Sequence, residues 1–243
     1  MKKSLALLTA SALSLSLVLA GCGGTNSGDA KEPGAADKGV VNVYNWGVYI
    51  DESVLEDFTA ETGIEVVYDT FESNESMYGM LKNEGASYDV VLPSDYMISR
   101  MIEEDMLEPL NFDNIPNFED IDPALKNPDY DPENLYSVPY MWGLLGIIYN
   151  TTMVEETPTS WGTMFDEQYA GQILMFNNSR DAIGVALKYL GYSYNTTDEA
   201  QIKEAVDLLI QQKPLVQSYV MDEIFEKMQG GSAAIGAYYY GDF

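Results

Sequence analysis

The sequence predicts an α/β fold in which a mostly parallel sheet is covered by helices. From residue 41 onward, short apolar segments alternate with segments of helical periodicity, which is the pattern of βαβ units. Glycines stand where the first two predicted helices should end, a common way to close a helix. Because the chain has one cysteine in 243 residues, it forms no internal disulfide and its fold must depend on an apolar core.

The first half of the chain contains three predicted strand–helix units. The first helix carries Val54, Leu55 and Phe58 on one face, as an amphipathic helix does. The predicted elements are the strand Val41–Trp46, a helix capped by Asp51 and ended by Gly63, the strand Ile64–Thr70, a helix from Ser73 to Glu84 closed by Gly85, the strand Tyr88–Leu92 and the helix Tyr96–Asp105.

The second half repeats this alternation after a long Pro- and Asp-rich loop, Asn111–Asn134. Because the sequence ends just after its last strand, we expect that strand to be an unpaired edge and the chain to be cut short. The elements are the apolar run Val138–Tyr149, the strand Gln172–Phe176, the helix Ser179–Leu190, the amphipathic helix Asp198–Gln212 with Ile202, Ala205, Val206, Leu208 and Leu209 inward, the segment Leu215–Val220, a short helix near Asp222–Met228 and the strand Ala233–Tyr240.

The amino terminus predicts export. Residues 1–21 combine two lysines, a short apolar stretch and a small-residue cleavage site, which are the parts of a secretory signal peptide. Leu19-Ala20-Gly21-Cys22 resembles the lipobox of bacterial lipoproteins, which implies that Cys22 is lipidated and holds the protein at a membrane surface. An ordinary signal peptide with an incidental cysteine is the alternative. Residues 22–39 are predicted to form a flexible tether.

The composition excludes several functions. The formal charge is −27, which argues against nucleic acid; it favours cationic ligands but is equally consistent with a merely soluble surface. The absence of histidine excludes zinc sites and catalysis built on that residue. The series Asp129, Asp131, Glu133 begins like a calcium loop but fails at Asn134 and Tyr140, so we interpret it as a solvated acidic turn. We expect neither a metal nor a cofactor.

Candidate ligand residues follow predicted strands, where parallel sheets bind their ligands. Aromatic faces attract cations and pack against methylene chains, and carboxylates bind ammonium groups. The same aromatics could be core residues, and helix amino termini favour anions, so placement alone leaves the sign of the ligand open. The loop residues are Trp46 and Tyr49 after the first strand, Ser94 and Tyr96 after the third, and Asn178 and Asp181 after Gln172–Phe176.

The residues from 40 onward resemble bacterial spermidine/putrescine-binding proteins, the extracytoplasmic receptors of polyamine ABC importers. The resemblance rests on these segments: Tyr44-Asn45-Trp46 with Tyr49, Glu61-Thr62-Gly63-Ile64, Glu72-Ser73-Asn74-Glu75, Met77-Tyr78, Tyr88-Asp89-Val90-Val91, Pro93-Ser94 with Tyr96, Val138-Pro139-Tyr140-Met141-Trp142-Gly143, Ser160-Trp161, Leu190-Gly191-Tyr192-Ser193 and Asn195-Thr196-Thr197-Asp198.

The resemblance implies a periplasmic-binding-protein-like (type II) two-lobe fold with a hinge, incomplete at its carboxyl terminus. It places lobe 1 at residues 40–142, without its return segment, and part of lobe 2 at 143–243. It implies that Trp46, Tyr49, Ser94 and Tyr96 bind ligand. Three further ligand positions of the family are altered in this chain: Asp181 stands where the family has a Glu, Asn178 where it has an Asp and Tyr239 where it has a Trp. In addition, Gly47 replaces a hydroxyl residue.

The expected function is therefore that of an exported, lipid-anchored receptor at the periplasmic or outer face of the cell membrane. It would bind putrescine or spermidine as a monomer and deliver it to the permease of an ABC importer. The alternatives are a receptor for another small solute, such as an amino acid, and a truncated product that does not bind. A hydrolase with paired carboxylates is disfavoured, because no two acids stand in a recognisable catalytic context.

Overall fold

A computed structural model describes residues 38–83 and 87–241. The predicted signal peptide, Cys22, most of the tether and Gly85 lie outside these ranges. None of the helices in the described ranges combines the length and apolar character that crossing a membrane requires. The described residues belong to one compact unit, and the division into lobes at residues 142 and 143 stays a prediction.

The first sheet consists of three parallel strands in the order β2-β1-β3. β1 pairs with β2 from Val40↔Glu65 to Trp46↔Phe71, and with β3 on its other side. The predicted strand–helix alternation is thus confirmed for this half. The elements are β1 Val40–Trp46, α1 Ser53–Thr62, β2 Glu65–Phe71, α2 Asn74–Asn83, β3 Val90–Val91 and α3 Asp95–Glu103.

The second sheet has four strands in the order β4-β7-β5-β6. β5 is parallel to both neighbours, whereas β4 runs antiparallel to β7. The elements are β4 Leu145–Tyr149, β5 Ile173–Phe176, α4 Ser179–Tyr189, α5 Glu199–Gln212, β6 Val216–Val220, α6 Glu223–Gln229 and β7 Ile235–Tyr239.

The expectation that the last strand is an unpaired edge is wrong. β7 lies between β4 and β5 and is hydrogen-bonded on both sides, and its first four residues are buried. Its composition, Ile-Gly-Ala-Tyr-Tyr, suits a strand covered on both faces. The order of strands in a sheet is decided by packing, not by their order in the chain.

The helix ends follow local chemistry closely, but the apolar face of α1 is less covered than an amphipathic pattern predicts. α1 ends at Gly63 in the left-handed conformation, with φ 73°, as expected. Asp51 accepts a hydrogen bond from the Ser53 backbone N–H at 3.0 Å, although Glu52 is the N-cap residue. Val54 and Phe58 remain 51% and 40% exposed.

The interpretation of Asp129, Asp131 and Glu133 as a solvated acidic turn is wrong for Asp131. Its side chain is only 3% exposed. One carboxylate oxygen, Oδ1, accepts from the Leu135 N–H at 2.9 Å, and Oδ2 accepts from the N–H groups of Tyr136 and Ser137 and from the Ser137 hydroxyl at 2.8–3.0 Å. Four donors replace the water that a buried carboxylate loses, and they hold this loop in place.

Met221 joins the two halves of the described structure. It packs against the aromatic cluster beneath the first sheet and also against the larger core of the second. This one side chain therefore links the two hydrophobic clusters.

Candidate functional site

Loops at the carboxyl ends of parallel strands from both sheets border one cleft of 2280 Å³. This is where ligands bind to open parallel sheets. The structure brings all the predicted site residues to this cleft: Trp46 and Tyr49 after β1, Ser94 and Tyr96 after β3, Asn178 and Asp181 after β5, and Tyr239 at the end of β7.

Trp46 belongs to the core as much as to the cleft. Its side chain is 8% exposed, and its ring centroid lies 4.5 Å from that of Phe71 and 5.8 Å from that of Tyr49. The indole Nε1 donates to the Leu92 carbonyl at 2.9 Å. The ring is thus held in one orientation, with a limited part of its surface available to a ligand.

Ser94 and Tyr96 are positioned by the buried Asn74, a residue that sequence reasoning missed. Asn74 Nδ2 donates to Ser94 Oγ at 3.1 Å and to the Tyr96 hydroxyl at 3.0 Å, while its Oδ1 accepts from the Ser94 N–H at 3.0 Å. The Tyr96 hydroxyl donates to Glu75 at 3.0 Å. Burial, followed by the negative charge of Glu75, raises the pKa of Tyr96, so the phenol remains a neutral donor.

Asn178 has a structural role as well as a place in the cleft wall. Its Oδ1 accepts from the backbone N–H groups of Arg180 at 3.0 Å and Asp181 at 3.4 Å. This is the N-cap of α4. Because the oxygen is engaged with the helix, the amide Nδ2 is the part of Asn178 that could contact a ligand.

Asp181 is one of the acidic residues that border the cleft, and both of its carboxylate oxygens are hydrogen-bonded. Its Oδ2 accepts from the Tyr239 hydroxyl at 2.6 Å, and its Oδ1 accepts from the Tyr194 hydroxyl. Burial, and then the charge of Asp181, raises the pKa of both tyrosines. Both phenols therefore stay protonated and hold the carboxylate in a fixed orientation.

Tyr194 and Arg180 also belong to the site, although neither was predicted as a ligand residue. A Cβ atom on Gly184 would overlap the Tyr194 ring, so the lack of a side chain at Gly184 lets this ring pack directly against α4. The Arg180 guanidinium lies 5.3 Å from the ring centroid of Tyr96 and 5.5 Å from that of Tyr194. It also donates to Asn195 at 2.8 Å. Nothing in the sequence spacing indicates these contacts.

The rim of the cleft is apolar and exposed. The Tyr140 hydroxyl donates to the Tyr49 carbonyl, which ties the segment before β4 to the loop after β1. Within the described ranges, no group of three or more Cys, His, Asp or Glu side chains could hold a metal ion. The exposed side chains of the rim are Tyr140, Met141, Trp142, Leu144 and Tyr240.

Two sheets whose parallel strands end on a shared cleft of aromatic and acidic residues define a solute-binding protein. The chain belongs to the bacterial extracellular solute-binding protein family, whose model matches residues 53–242. The members of this family bind solutes and are not enzymes.

Particular relatives are named for polyamines. The chain is 37% identical over 209 residues to the spermidine/putrescine-binding periplasmic protein of Salmonella typhimurium, covering 85% of this chain and 60% of the relative. It is 35% identical over 244 residues to spermidine/putrescine-binding periplasmic protein 1 of Haemophilus influenzae, covering 99% and 68%. The chain thus spans about 60% of the length of most curated relatives it matches.

Solved structures confirm the predicted periplasmic-binding-protein-like α/β fold. The putative spermidine/putrescine ABC transporter protein of Listeria monocytogenes is 40% identical, with a TM-score of 0.79 over 83% of this chain and 63% of that one. The Tp0655 (TpPotD) lipoprotein of Treponema pallidum is 30% identical, with a TM-score of 0.75 over 82% and 63%.

Proposed function

We propose that this chain is the ligand-binding part of an extracytoplasmic receptor that delivers a polyamine, putrescine or spermidine, to an ABC importer. One observation carries the proposal. The Asp181 carboxylate, oriented by the hydroxyls of Tyr194 and Tyr239, stands in a cleft that Trp46, Tyr49 and Tyr96 also border. A carboxylate beside aromatic rings is suited to an ammonium group on an alkyl chain.

The magnitudes favour a flexible cation. Each partly desolvated ring that faces an ammonium group contributes about 0.5–2 kcal/mol, and Trp46, Tyr49 and Tyr96 all border the cleft. A charge-assisted hydrogen bond to Asp181 would add about 1.5–3 kcal/mol. The formal charge of −27 would speed the approach of a cation. The names of the relatives, which are spermidine/putrescine-binding proteins, support the same class of ligand.

The second candidate is an anionic or zwitterionic solute, such as an amino acid. Arg180 favours it, because its guanidinium borders the same cleft and could pair with a carboxylate. This group already donates to Asn195 and faces two tyrosine rings. We therefore rank the polyamine first.

The test is calorimetric titration of the chain with putrescine and spermidine, with glutamate and glucose as representatives of other solute classes. We expect heat from at least one polyamine and none from the others. Asp181→Asn should weaken polyamine binding at least tenfold, whereas Asp57→Asn, the same change at an exposed position of α1 outside the cleft, should leave it unchanged. Binding of glutamate or glucose without any polyamine response would refute the proposal.

Export and anchoring form a separate part of the proposal. Residues 1–21 would be removed, and lipid on Cys22 would hold a monomeric receptor at the outer or periplasmic face of the membrane, next to the permease. We expect the wild-type chain to fractionate with membranes and a Cys22→Ser variant to be released. Mass spectrometry should find acyl chains on the amino-terminal residue. An unmodified Cys22 on an exported chain would contradict this part alone.

A further inference from the structure

A second, smaller cavity of 240 Å³ adjoins the main cleft. The two share Trp46, Tyr49 and Tyr239 as a common wall. The remaining walls of the small cavity come from the end of β2 and the residue after it, from single residues that follow β1 and β5, from the loop after β6 and from the end of β7. Since a water molecule occupies about 30 Å³ of liquid, the space has room for an ammonium group together with part of an alkyl chain.

The half-buried carboxylate of Asp222 lies in the wall of this cavity. Asp222 is the N-cap residue of α6, yet its side chain makes no capping hydrogen bond. Instead, Oδ1 accepts from the Tyr238 hydroxyl at 3.1 Å. Its Oδ2 lies 2.9 Å from the point where a Cβ atom on Gly47 would stand. The lack of a side chain at Gly47 therefore gives the carboxylate room beside the loop after β1.

Consecutive tyrosines of β7 orient two separate carboxylates. The Tyr238 hydroxyl donates to Asp222, and the Tyr239 hydroxyl donates to Asp181. The two rings lie side by side, with their centroids 5.1 Å apart, so the two acids stand beside neighbouring rings at the end of β7. Tyr239, which borders both spaces, separates them. This arrangement suits a ligand with two cationic ends.

The charge of the small cavity favours cations. Glu72 and Glu223 border it together with Asp222, and none of the described residues in its wall is basic. The rings of Trp46 and Tyr49 offer faces that attract a cation and cover methylene groups. A primary ammonium group at the end of an alkyl chain matches both the acid and the rings.

We propose that the small cavity is a second ammonium subsite, with Asp222 as its anchoring carboxylate. It takes one terminal amine of a ligand whose other amine lies in the main cleft beside Asp181. This inference rests on the proposed polyamine function, and it names the groups that hold each end of the ligand. A diamine gains from both carboxylates, whereas a monoamine can use only one at a time.

The experiment is calorimetric titration of the full chain with putrescine and with n-butylamine. Asp222→Asn keeps the shape of the side chain and an acceptor for Tyr238, and it removes only the charge. We expect it to weaken putrescine binding at least tenfold, the effect of one charge-assisted hydrogen bond. The matched control is Glu226→Gln, which removes an equal charge from an exposed position of the same helix that borders neither space. It should change affinity less than twofold.

A second variant tests geometry rather than charge. Gly47→Ala keeps every acid but should push the Asp222 carboxylate aside, so we expect weaker putrescine binding with an unchanged circular-dichroism spectrum. Putrescine affinity that stays within twofold in Asp222→Asn would overturn the subsite and leave the polyamine proposal standing. Binding of n-butylamine that needs Asp222, without binding of putrescine, would support the subsite and overturn the polyamine proposal. No binding of either amine to the wild-type chain would overturn both.

Discussion

Replacing Asp131 by Asn tests whether a buried carboxylate holds the loop before β4 in place. The two Asp131 oxygens accept four hydrogen bonds, one on Oδ1 and three on Oδ2. An asparagine has one acceptor oxygen and one donor nitrogen in this space. If the asparagine nitrogen takes the Oδ2 position, the three groups that donate to Oδ2 face another donor. If the nitrogen takes the Oδ1 position, the Leu135 N–H faces another donor. Either orientation leaves at least one buried donor unsatisfied.

The cost follows from these contacts. An unsatisfied buried polar group costs about 1–3 kcal/mol, and the remaining bonds lose the strength that an ionised acceptor gives them. We therefore expect Asp131→Asn to lower the free energy of unfolding by about 2–4 kcal/mol. That is a large part of the roughly 5–15 kcal/mol that stabilises a typical domain.

The assay is urea unfolding followed by tryptophan fluorescence and circular dichroism. Asp131→Asn should lower the midpoint and leave the slope unchanged. Asp129→Asn is the matched control, because Asp129 lies in the same loop and is exposed; its midpoint should equal that of the wild-type chain. If the two variants differ by less than about 0.5 kcal/mol, a size typical of surface changes, the hydrogen bonds to Asp131 do not stabilise the loop.

Three further changes have defined outcomes. Gly184→Ala should displace the Tyr194 ring and destabilise the fold by about 1–3 kcal/mol, measured by urea unfolding; an unchanged midpoint would show that the ring can move freely. Trp46→Ala should lower the free energy of unfolding by about 3–5 kcal/mol as well as weaken polyamine binding, so an effect on binding alone would contradict its place in the core. Hydrogen bonds from Lys82, among others, lower the pKa of Glu104 to about 2, so its contribution to stability should be complete above its ordinary pKa and disappear as the pH falls towards 2. The deficit of Glu104→Gln should therefore shrink across that range, and a constant deficit would refute this assignment.

Local patterns predicted much of the fold. The strand that ends at Trp46 and the helix that ends at Gly63 were visible because apolar periodicity and a glycine in the left-handed conformation are properties of short segments. The cleft residues from Trp46 to Asp181 could also be proposed, since ligands of parallel sheets gather at strand ends, whereas Tyr239 was implied only by the family resemblance. Their role as ligand residues remains a prediction.

Other features depend on contacts between distant segments. Asn74 reaches Ser94 across 20 residues, Tyr194 reaches Asp181 across 13, and Tyr238 reaches Asp222 across 16. No spacing rule connects such pairs, because only the packed chain brings them within hydrogen-bonding distance. The N-cap role of Asn178 is, by contrast, a local contact, because its oxygen accepts from backbone N–H groups two and three residues further along the chain.

The sequence by itself determined the alternation of strands and helices, the acidic character of the chain, the aromatic loops after the strands and the family resemblance from which the polyamine ligand was inferred. Only the tertiary structure decided that β7 lies inside its sheet, that Asp131 is buried and that Asp222 stands beside Gly47. The physical reason is the distance along the chain between the residues that set each feature. Periodicity and helix ends are set within a few residues along the chain. Strand order, burial and the contact of Asp222 with Gly47 are set by packing between segments that are far apart in the sequence.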